Sequence, residues 1–444
     1  MNGNNSFFIL FGKEDAMTKS LKAILTTAIL TMILIFAGCS DSDDSSSPTN
    51  HVTITEKPMY YEVNIDYSSG DRYSIGREYG TKVLSLVPSY EAGSDAYVAA
   101  SVAGLQQQDP EITYEVIIER ALEIYKNIQS QYKDEIEGFA SVLSGGTVNI
   151  MGDGKLSRDE FVVLNFLGDV CTPISCSATA VFGSKSATGQ AIVGRNLDWS
   201  TSTGPPTAST NDNTEAAAKT AAVFYLKTGE KQVVSFGSLG WIGIITGINS
   251  DGIFVANLYS EIGAPYSAVG KSSVMLDIRE ALETSSTVDE VGAFLGDPSR
   301  LYAYHNNMFI ADKNTAKVLE NDYERNRALR SFDSELNPGI TWGISDAIAC
   351  VNAFVLKGNF DNFTKNKGNT LRWASFEALL KEGDTVNIDQ VRTIMSYHEG
   401  FIYNQGTIVS MAYSFSENRL ELWFGTYVDD PQYETISIPF LENQ

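Results

Sequence analysis

The sequence is poor in the side chains that hold metals or build disulfide scaffolds. Among its 444 residues are three histidines and four cysteines. A structural zinc site needs several such ligands close together, so a Cys/His zinc site is not expected. The cysteines are also too sparse for a disulfide-dense fold. We therefore expect neither a metal nor a cofactor.

Positive charge is also scarce. The chain has 32 lysines and arginines against 55 aspartates and glutamates, which gives a formal net charge of −23 at pH 7. No local cluster of basic residues interrupts this excess. Nucleic-acid surfaces need a basic stripe, so we expect no nucleic-acid partner. An acidic surface mainly favours solubility.

The longest apolar run lies near the N-terminus, in MTKSLKAILTTAILTMILIFAGCS. Lys19 and Lys22 precede the run, and small residues before Cys39 follow it, as in a secretory signal. The end of the run resembles a bacterial lipobox. This resemblance implies that Cys39 is lipidated, so that the protein is extracytoplasmic and anchored to a bacterial membrane. A transmembrane helix is the alternative, although the run is at the short end for spanning a bilayer.

Composition and periodicity divide the rest of the chain. Residues 1–39 are predicted to be the signal and lipobox, and the Ser/Asp-rich residues 40–54 a disordered tether. Residues 55–175 have apolar residues at helical spacing. From 176 to 444, short strand-like runs joined by turns alternate with helical stretches, which favours antiparallel hairpins. These patterns predict a layered α+β fold.

A thiol could supply the chemistry, but it needs a base to take its proton. Beyond Cys39, the cysteines are Cys171, Cys176 and Cys350. The histidines are His51, His305 and His398. His51 lies in or beside the tether, His305 at a predicted strand and His398 at the end of a predicted helix. None of them is part of a recognisable catalytic motif. A Cys–His pair remains an alternative.

A cut just before a cysteine would provide the base without histidine. The freed α-amine has a pKa of about 7.7–8.0, close to working pH. Nearby, a cation would favour the thiolate, a carboxylate would hold the ammonium, and amide donors would meet the oxyanion. Residues of suitable type are Arg195, Asp198, Asn257 and Asn352. Asn257, inside an apolar strand, is the better oxyanion donor, whereas Asn249 in NSDG is typical of a turn.

The segment CSATAVFGSKSATGQAIVGRNLDW, beginning at Cys176, resembles the start of the mature chain in N-terminal-nucleophile amide hydrolases. Within that superfamily it is most similar to the penicillin-acyltransferase-like autoproteolytic acyltransferase/hydrolase family. Choloylglycine hydrolases and acid-ceramidase-type amidases are more distant relatives. The shared pattern is a cysteine, a strand, a turn at Gly189, a second strand and G-R-N-x-D. The segments WIGIITGINSDGIFVANLY, CVNAFV and GNTLRWASFEALL resemble later stretches of the family.

The resemblance implies a four-layer α/β/β/α sandwich with a helical pro-segment over residues 55–175 and a catalytic domain over 176–444. It implies autoproteolysis between Ser175 and Cys176. The cysteine would then cleave a linear N-acyl amide, or transfer its acyl group, through a thioester. The implied catalytic residues are Cys176, Arg195, Asp198, Asn257 and Asn352. The implied substrate-binding residues are Arg372 and Trp199.

Departures from the family pattern leave alternatives open. Asn352 is flanked by Val351 and Ala353 rather than by threonine and histidine. Cys171, in VCTP, could imitate the nucleophile, although the distance to Gly-Arg-Asn favours Cys176. Cys171 and Cys350 would then be free to form a disulfide.

Three other functions remain to be tested. One is a conjugated bile-acid amidase on the same fold, and another is an inactive, ligand-binding lipoprotein. The third is calcium binding by NIMGDGKLSRDE at 149–160, which imitates an EF-hand loop but has Met151 where an oxygen ligand is required. A loop that begins a helix is the interpretation we favour for this segment.

Overall fold

The computed structural model describes residues 50–171, 176–199, 220–260, 266–322, 324–425 and 427–442. The predicted signal and lipobox, with Cys39, lie outside the described residues, and so does Ser175 on the predicted scissile bond. Among the described residues, no helix is both long and apolar enough to cross a membrane.

Strands and helices are labelled in chain order. The strands are β1 Val52–Glu56, β2 Tyr61–Asp66, β3 Cys176–Val181, β4 Ile192–Asp198, β5 Ala221–Thr228, β6 Lys231–Ser238, β7 Thr246–Asn249, β8 Phe254–Tyr259, β9 Asn306–Ala311, β10 Ala316–Asn321, β11 Arg327–Arg330, β12 Ala347–Cys350, β13 Thr407–Ser414, β14 Arg419–Phe424 and β15 Glu434–Ile436. The helices are α1 Arg72–Leu86, α2 Tyr90–Gln108, α3 Tyr114–Tyr125, α4 Ser130–Ala140, α5 Arg158–Asn165, α6 Leu167–Val170, α7 Val274–Thr284, α8 Val288–Leu295, α9 Lys367–Lys381 and α10 Ile388–Met395.

The strands form two sheets. One has nine strands in the order β1-β2-β5-β6-β7-β8-β9-β10-β11, and the other has six in the order β12-β3-β4-β13-β14-β15. Neighbouring strands are antiparallel except β2 and β5, which are parallel. Short turns such as KTGEK join antiparallel neighbours, as the sequence predicts.

Helices pack on both sheets. α7 contacts β6, β7 and β8 of the nine-stranded sheet, and α10 packs on β4 and β13 of the six-stranded sheet. Arg195 of β4 donates a hydrogen bond to the backbone oxygen of Asn257 on β8, so the two sheets meet here. The described residues therefore form a mixed α+β fold.

The segment before Cys176 is not purely helical, which corrects the sequence prediction. β1 and β2 pair with each other, and β2 extends the nine-stranded sheet beside β5. β1 includes residues 52–54, which were predicted to end the disordered tether. Val52 is fully buried in the core, so this part of the chain belongs to the fold. These strands are hard to predict from the sequence because β5, the second partner of β2, comes much later in the chain.

A buried ion pair joins α4 to α7 across the predicted scissile bond. Arg279 Nη1 lies 2.7 Å from Glu135 Oε2, and Arg279 Nη2 lies 2.9 Å from Glu135 Oε1. The Tyr67 hydroxyl donates to Glu135 Oε2 at 2.9 Å, and Arg72 also pairs with this carboxylate. Both carboxylate oxygens are therefore used in attaching the front segment to the rest of the protein.

A separate apolar core lies between the six-stranded sheet and the helices α9 and α10. Its buried members include Ile192, Phe376, Val391 and Met395. A Cβ at Gly194 would lie 2.7 Å from Met395 Cγ, so glycine permits the close approach of β4 to α10. This packing fixes the strand that carries Arg195 and Asp198.

Candidate active site

The β3–β4 hairpin positions the candidate nucleophile. Cys176 opens β3 and pairs with Leu197, while Ala178 pairs with Arg195. Residues two apart on a strand point to the same face, so Cys176 and Arg195 share the face toward the nine-stranded sheet. Gly189, between the strands, has a φ of 76°, a conformation that favours glycine.

Cys176 is 4% exposed and lines a small pocket of about 20 Å³. Its backbone nitrogen donates to Asn352 Oδ1 at 2.6 Å. Asn352 Nδ2 in turn donates to the backbone oxygen of Tyr259 at 2.8 Å. One amide side chain therefore connects the nitrogen of Cys176 to β8 of the opposite sheet.

Asn257 lies on the same pocket as Cys176. Its side-chain oxygen is buried and accepts no hydrogen bond from the described residues. Its backbone is nevertheless fixed, because its nitrogen donates to Ile245 and its oxygen accepts from Arg195, both at 2.9 Å. Buried polar atoms are normally paired, so this oxygen is an exception among the described residues.

Arg195 is fully buried between the two sheets. Besides its bond to Asn257, its Nε lies 3.4 Å from the Thr246 hydroxyl, and Nη1 donates to the backbone oxygen of Asn196. The guanidinium therefore brings a positive charge to the Cys176 face and holds β8 at the pocket.

Asp198 ends β4 and is fully buried. Its Oδ2 accepts from Arg372 and from Asn404, each at 2.7 Å, and its Oδ1 accepts from the Thr407 hydroxyl at 2.7 Å. Burial raises the pKa of this carboxyl, although the Arg372 guanidinium opposes the shift. The sequence analysis assigned Asp198 to catalysis and Arg372 to substrate binding, but the two side chains form one ion pair.

Trp199 lines the Cys176 pocket as well as a larger neighbouring cavity. Its indole Nε1 donates to the hydroxyl of Tyr97 on α2. Asn404, Thr407 and Tyr259 also contact site residues but were not identified from the sequence. Asn404 and Thr407 follow α10 in a segment without a recognisable motif, so no local pattern could reveal them.

The other two cysteines of the described residues are less suited to nucleophilic chemistry. Burial raises the pKa of both Cys171 and Cys350 to about 12, which keeps these thiols protonated at neutral pH. Both are free, so the predicted disulfide between them is not formed. Cys350 pairs with Ala178 on the next strand, whereas Cys171 follows α6, so different elements hold them.

The histidines bond to groups outside the candidate site. His398 contacts the Tyr427 hydroxyl and the backbone oxygen of Asp429, while His51 contacts that of Asp66. Burial lowers the pKa of His305 to about 4, and its Nδ1 lies 3.8 Å from Asp322. The described residues thus offer no support for a Cys–His pair.

The loop at 149–160 begins a helix, as the favoured interpretation predicts. Ser157 caps α5 in a capping box with Glu160. The backbone nitrogens of Gly152 and Gly154 donate to Asp95 of α2 at 2.8 and 2.7 Å. Within the described part of the chain, no group of three His, Cys, Asp or Glu residues could hold a metal ion.

Two of the solved structures similar to this chain are an acid amidase and a conjugated bile acid hydrolase. One is the Caenorhabditis elegans ortholog of N-acylethanolamine-hydrolyzing acid amidase, with 16% identity and a TM-score of 0.37 over 54% of this chain and 92% of that one. Another is a mutant of the conjugated bile acid hydrolase from Clostridium perfringens, with 14% identity and a TM-score of 0.37 over 60% and 95%. Both kinds of protein correspond to the resemblance stated from the sequence.

These similarities carry no argument about substrate or mechanism, because their TM-scores lie below 0.5. No protein-family model and no curated protein matches the chain.

Proposed function

We propose that this protein is an amide hydrolase or acyltransferase whose nucleophile is an N-terminal Cys176. One observation carries the proposal: the nitrogen and the thiol of the same residue both lie at a prepared site. Asn352 holds the nitrogen, and the thiol lines a pocket that Asn257 also lines. Such a site suits a residue that serves as nucleophile and base together.

Maturation would begin at the bond between Ser175 and Cys176. The thiol of Cys176 attacks the carbonyl carbon of Ser175, and the C–N bond breaks as a thioester forms. Water then hydrolyses this thioester, leaving a carboxylate on Ser175 and a free thiol and amine on Cys176. The front segment would remain attached after the cut through Glu135 and the strands β1 and β2.

The mature site would use the new α-amine as its base. The amine takes the thiol proton while the sulfur attacks the amide carbon of the substrate. Asn257 donates to the oxygen that becomes negative, and the protonated amine gives its proton to the departing nitrogen. Water, or an acceptor amine, then takes the acyl group from the thioester.

The observed contacts favour roles for Asn352, Asp198 and Arg372 that differ from those inferred from the sequence. Asn352, rather than Asp198, lies on the Cys176 nitrogen and would hold the α-amine. Asp198 is committed to Arg372 and acts as a positioning residue for the end of β4. Arg372 is buried in this pair, so we propose a positioning role for it instead of substrate binding.

The contacts of α7 and α10 on opposite sheets support a four-layer α/β/β/α arrangement, which we include in the proposal.

We also propose that residues up to Cys39 direct the protein out of the cytoplasm and that Cys39 carries a lipid anchor. Metabolic labelling with a radioactive fatty acid tests the anchor. Wild-type protein should become labelled, whereas label on a Cys39→Ser variant would contradict the proposal.

The enzymatic proposal is tested with the butyryl amide of 7-amino-4-methylcoumarin. Purified protein should release the fluorescent amine and form a butyryl thioester that is detectable by mass spectrometry after acid quenching. Cys176→Ala should abolish both signals. Cys171→Ala is the matched control and should retain both, since that thiol is buried away from the pocket. Activity in the Cys176→Ala variant would overturn the proposal.

A further inference from the structure

Asn352 lies at the centre of a tight turn that follows β12. The backbone nitrogen of Ala353 donates to the backbone oxygen of Val351 at 2.8 Å, which closes a three-residue γ-turn. This bond uses the flanking residues and leaves the backbone N–H and C=O of Asn352 itself unpaired within the turn. Because Asn352 is only 7% exposed, both groups need partners from elsewhere in the protein.

Asn369 of α9 supplies both partners. The backbone nitrogen of Asn352 donates to Asn369 Oδ1 at 3.1 Å, and Asn369 Nδ2 donates to the backbone oxygen of Asn352 at 2.9 Å. Asn369 is buried, so water does not compete for these bonds. Two bonds from one planar amide fix the rotation of the Asn352 backbone as well as its position. The Asn352 side chain therefore leaves the turn in one direction, with Oδ1 on the Cys176 nitrogen.

The support for this turn is a helix rather than a loop. Asn369 lies in the first turn of α9, three residues before Arg372, so the two side chains leave the same side of the helix. Arg372 pairs with Asp198 at the end of β4. Phe376 anchors the helix in the apolar core beneath the six-stranded sheet. One side of α9 therefore holds both the turn at Asn352 and the end of the strand that carries Arg195.

We infer that Asn369 is a positioning residue for the reaction and that it acts through Asn352. The inference rests on the proposed function, in which Asn352 holds the α-amine of Cys176. That amine has to take the thiol proton and return it to the departing nitrogen, so its lone pair must be oriented. An acceptor that is fixed before the reaction needs no reorganisation during it. Asn369 supplies this orientation although it does not line the Cys176 pocket.

The Asn369→Ala variant tests the inference with the butyryl amide of 7-amino-4-methylcoumarin. We expect kcat to fall roughly tenfold or more, because the amine is no longer held in its productive orientation. KM should stay near the wild-type value, since Asn369 lies outside the pocket. An unchanged kcat in folded, processed Asn369→Ala protein would overturn the inference and leave the proposed function intact.

Asn337→Ala is the matched control. Asn337 is also a buried asparagine that holds a loop through both ends of its amide. Its Oδ1 accepts from the backbone nitrogen of Gly358 at 3.1 Å, and its Nδ2 donates to the backbone oxygen of Asn359 at 3.3 Å. Both variants should lower the denaturant midpoint, but Asn337→Ala should keep the wild-type kcat. An equal fall of kcat in the two variants would show a general structural effect and would overturn the inference.

A double-mutant cycle tests whether Asn369 acts through Asn352. Asn352→Ala alone should lower kcat at least about tenfold. Adding Asn369→Ala to it should lower kcat further by about twofold at most, because no side chain remains to be positioned. Formation of the butyryl thioester in a single turnover measures the slow variants. If Asn369→Ala costs as much with Asn352→Ala as without it, the inference is wrong.

Hydrogen exchange separates the inference from the proposed chemistry. Mass spectrometry should show faster exchange in the peptide containing residues 351–353 in Asn369→Ala but not in Asn337→Ala. This measurement does not depend on activity. Unchanged exchange would overturn the inference. Faster exchange together with an inactive wild-type protein would confirm the hold of Asn369 on Asn352 and overturn the proposed function instead.

Discussion

The ion pairs around Glu135 in the front segment and the pocket of Cys176 after the proposed scissile bond use buried polar groups in different ways. In the front segment, Glu135 accepts hydrogen bonds on both carboxylate oxygens, and Asp169 accepts from the Ser273 hydroxyl and from the Val274 nitrogen. After the bond, Asn257 lies on the Cys176 pocket with its side-chain oxygen unsaturated. Saturated groups stabilise the fold, whereas a positioned but unsaturated group is available to a substrate.

The largest expected effect is on stability. Glu135→Gln removes one of the two carboxylates that pair with buried Arg279, and also the partner of Arg72, so we expect the free energy of unfolding to fall by about 3 kcal/mol. Denaturant unfolding measures this loss, and kcat of the folded protein should be unchanged. Glu123→Gln is the control. It breaks a pair with Lys126, whose side chain is 67% exposed, and should cost less than about 1 kcal/mol. Similar losses in the two variants would show that the buried pairs of Glu135 stabilise the fold no more than an exposed pair does.

The next effect is on catalysis. Asn257→Ala should lower kcat by about a hundredfold or more, because the developing oxyanion loses a donor. Its unfolding free energy should change little, since the side-chain oxygen has no partner among the described residues. Asn257→Asp keeps the shape of the side chain but removes the donor, so it should be similarly slow. Full activity in the aspartate variant would exclude Asn257 as the oxyanion donor.

The last expected effect concerns pH and stability, and it is spread over several pH units. Burial raises the pKa of Asp169 to about 7, above its unfolded value of about 3.9. The folded state therefore binds this proton more tightly than the unfolded state. The free energy of unfolding should fall as pH rises from about 4 to about 7, by at most about 1.4 kcal/mol per pH unit.

The Asp169→Asn variant should lack this contribution. Urea unfolding of both proteins at pH 5 and pH 7 measures the difference in slope. Titrating neighbours such as Asp277 are present in both proteins, so comparing the slopes isolates Asp169. Equal slopes would show that this carboxyl does not couple folding to pH.

The structural features that could be predicted from the sequence are those that depend on residues close together in the chain. The hairpin that places Cys176 near Arg195 follows from two strand-like runs around Gly189, and α5 follows from the capping residue Ser157. The mixed α+β character follows from alternating blocks of strand and helix periodicity.

Contacts between distant segments could not be predicted in the same way. Asp198 and Arg372 are 174 residues apart, and the bond from Cys176 to Asn352 spans 176 residues. Residue type alone suggested a carboxylate for the Cys176 nitrogen, but packing brought an amide oxygen there. The cavity beside Trp199 also depends on tertiary packing, since α2 forms its wall from the other side of the proposed cut.

The most direct measurement is N-terminal sequencing of all polypeptides in purified, active protein. The account predicts a chain that begins Cys-Ser-Ala-Thr-Ala at residue 176, together with a front chain that copurifies with it. A fully active, continuous polypeptide would contradict the account, and so would a new terminus at Cys171.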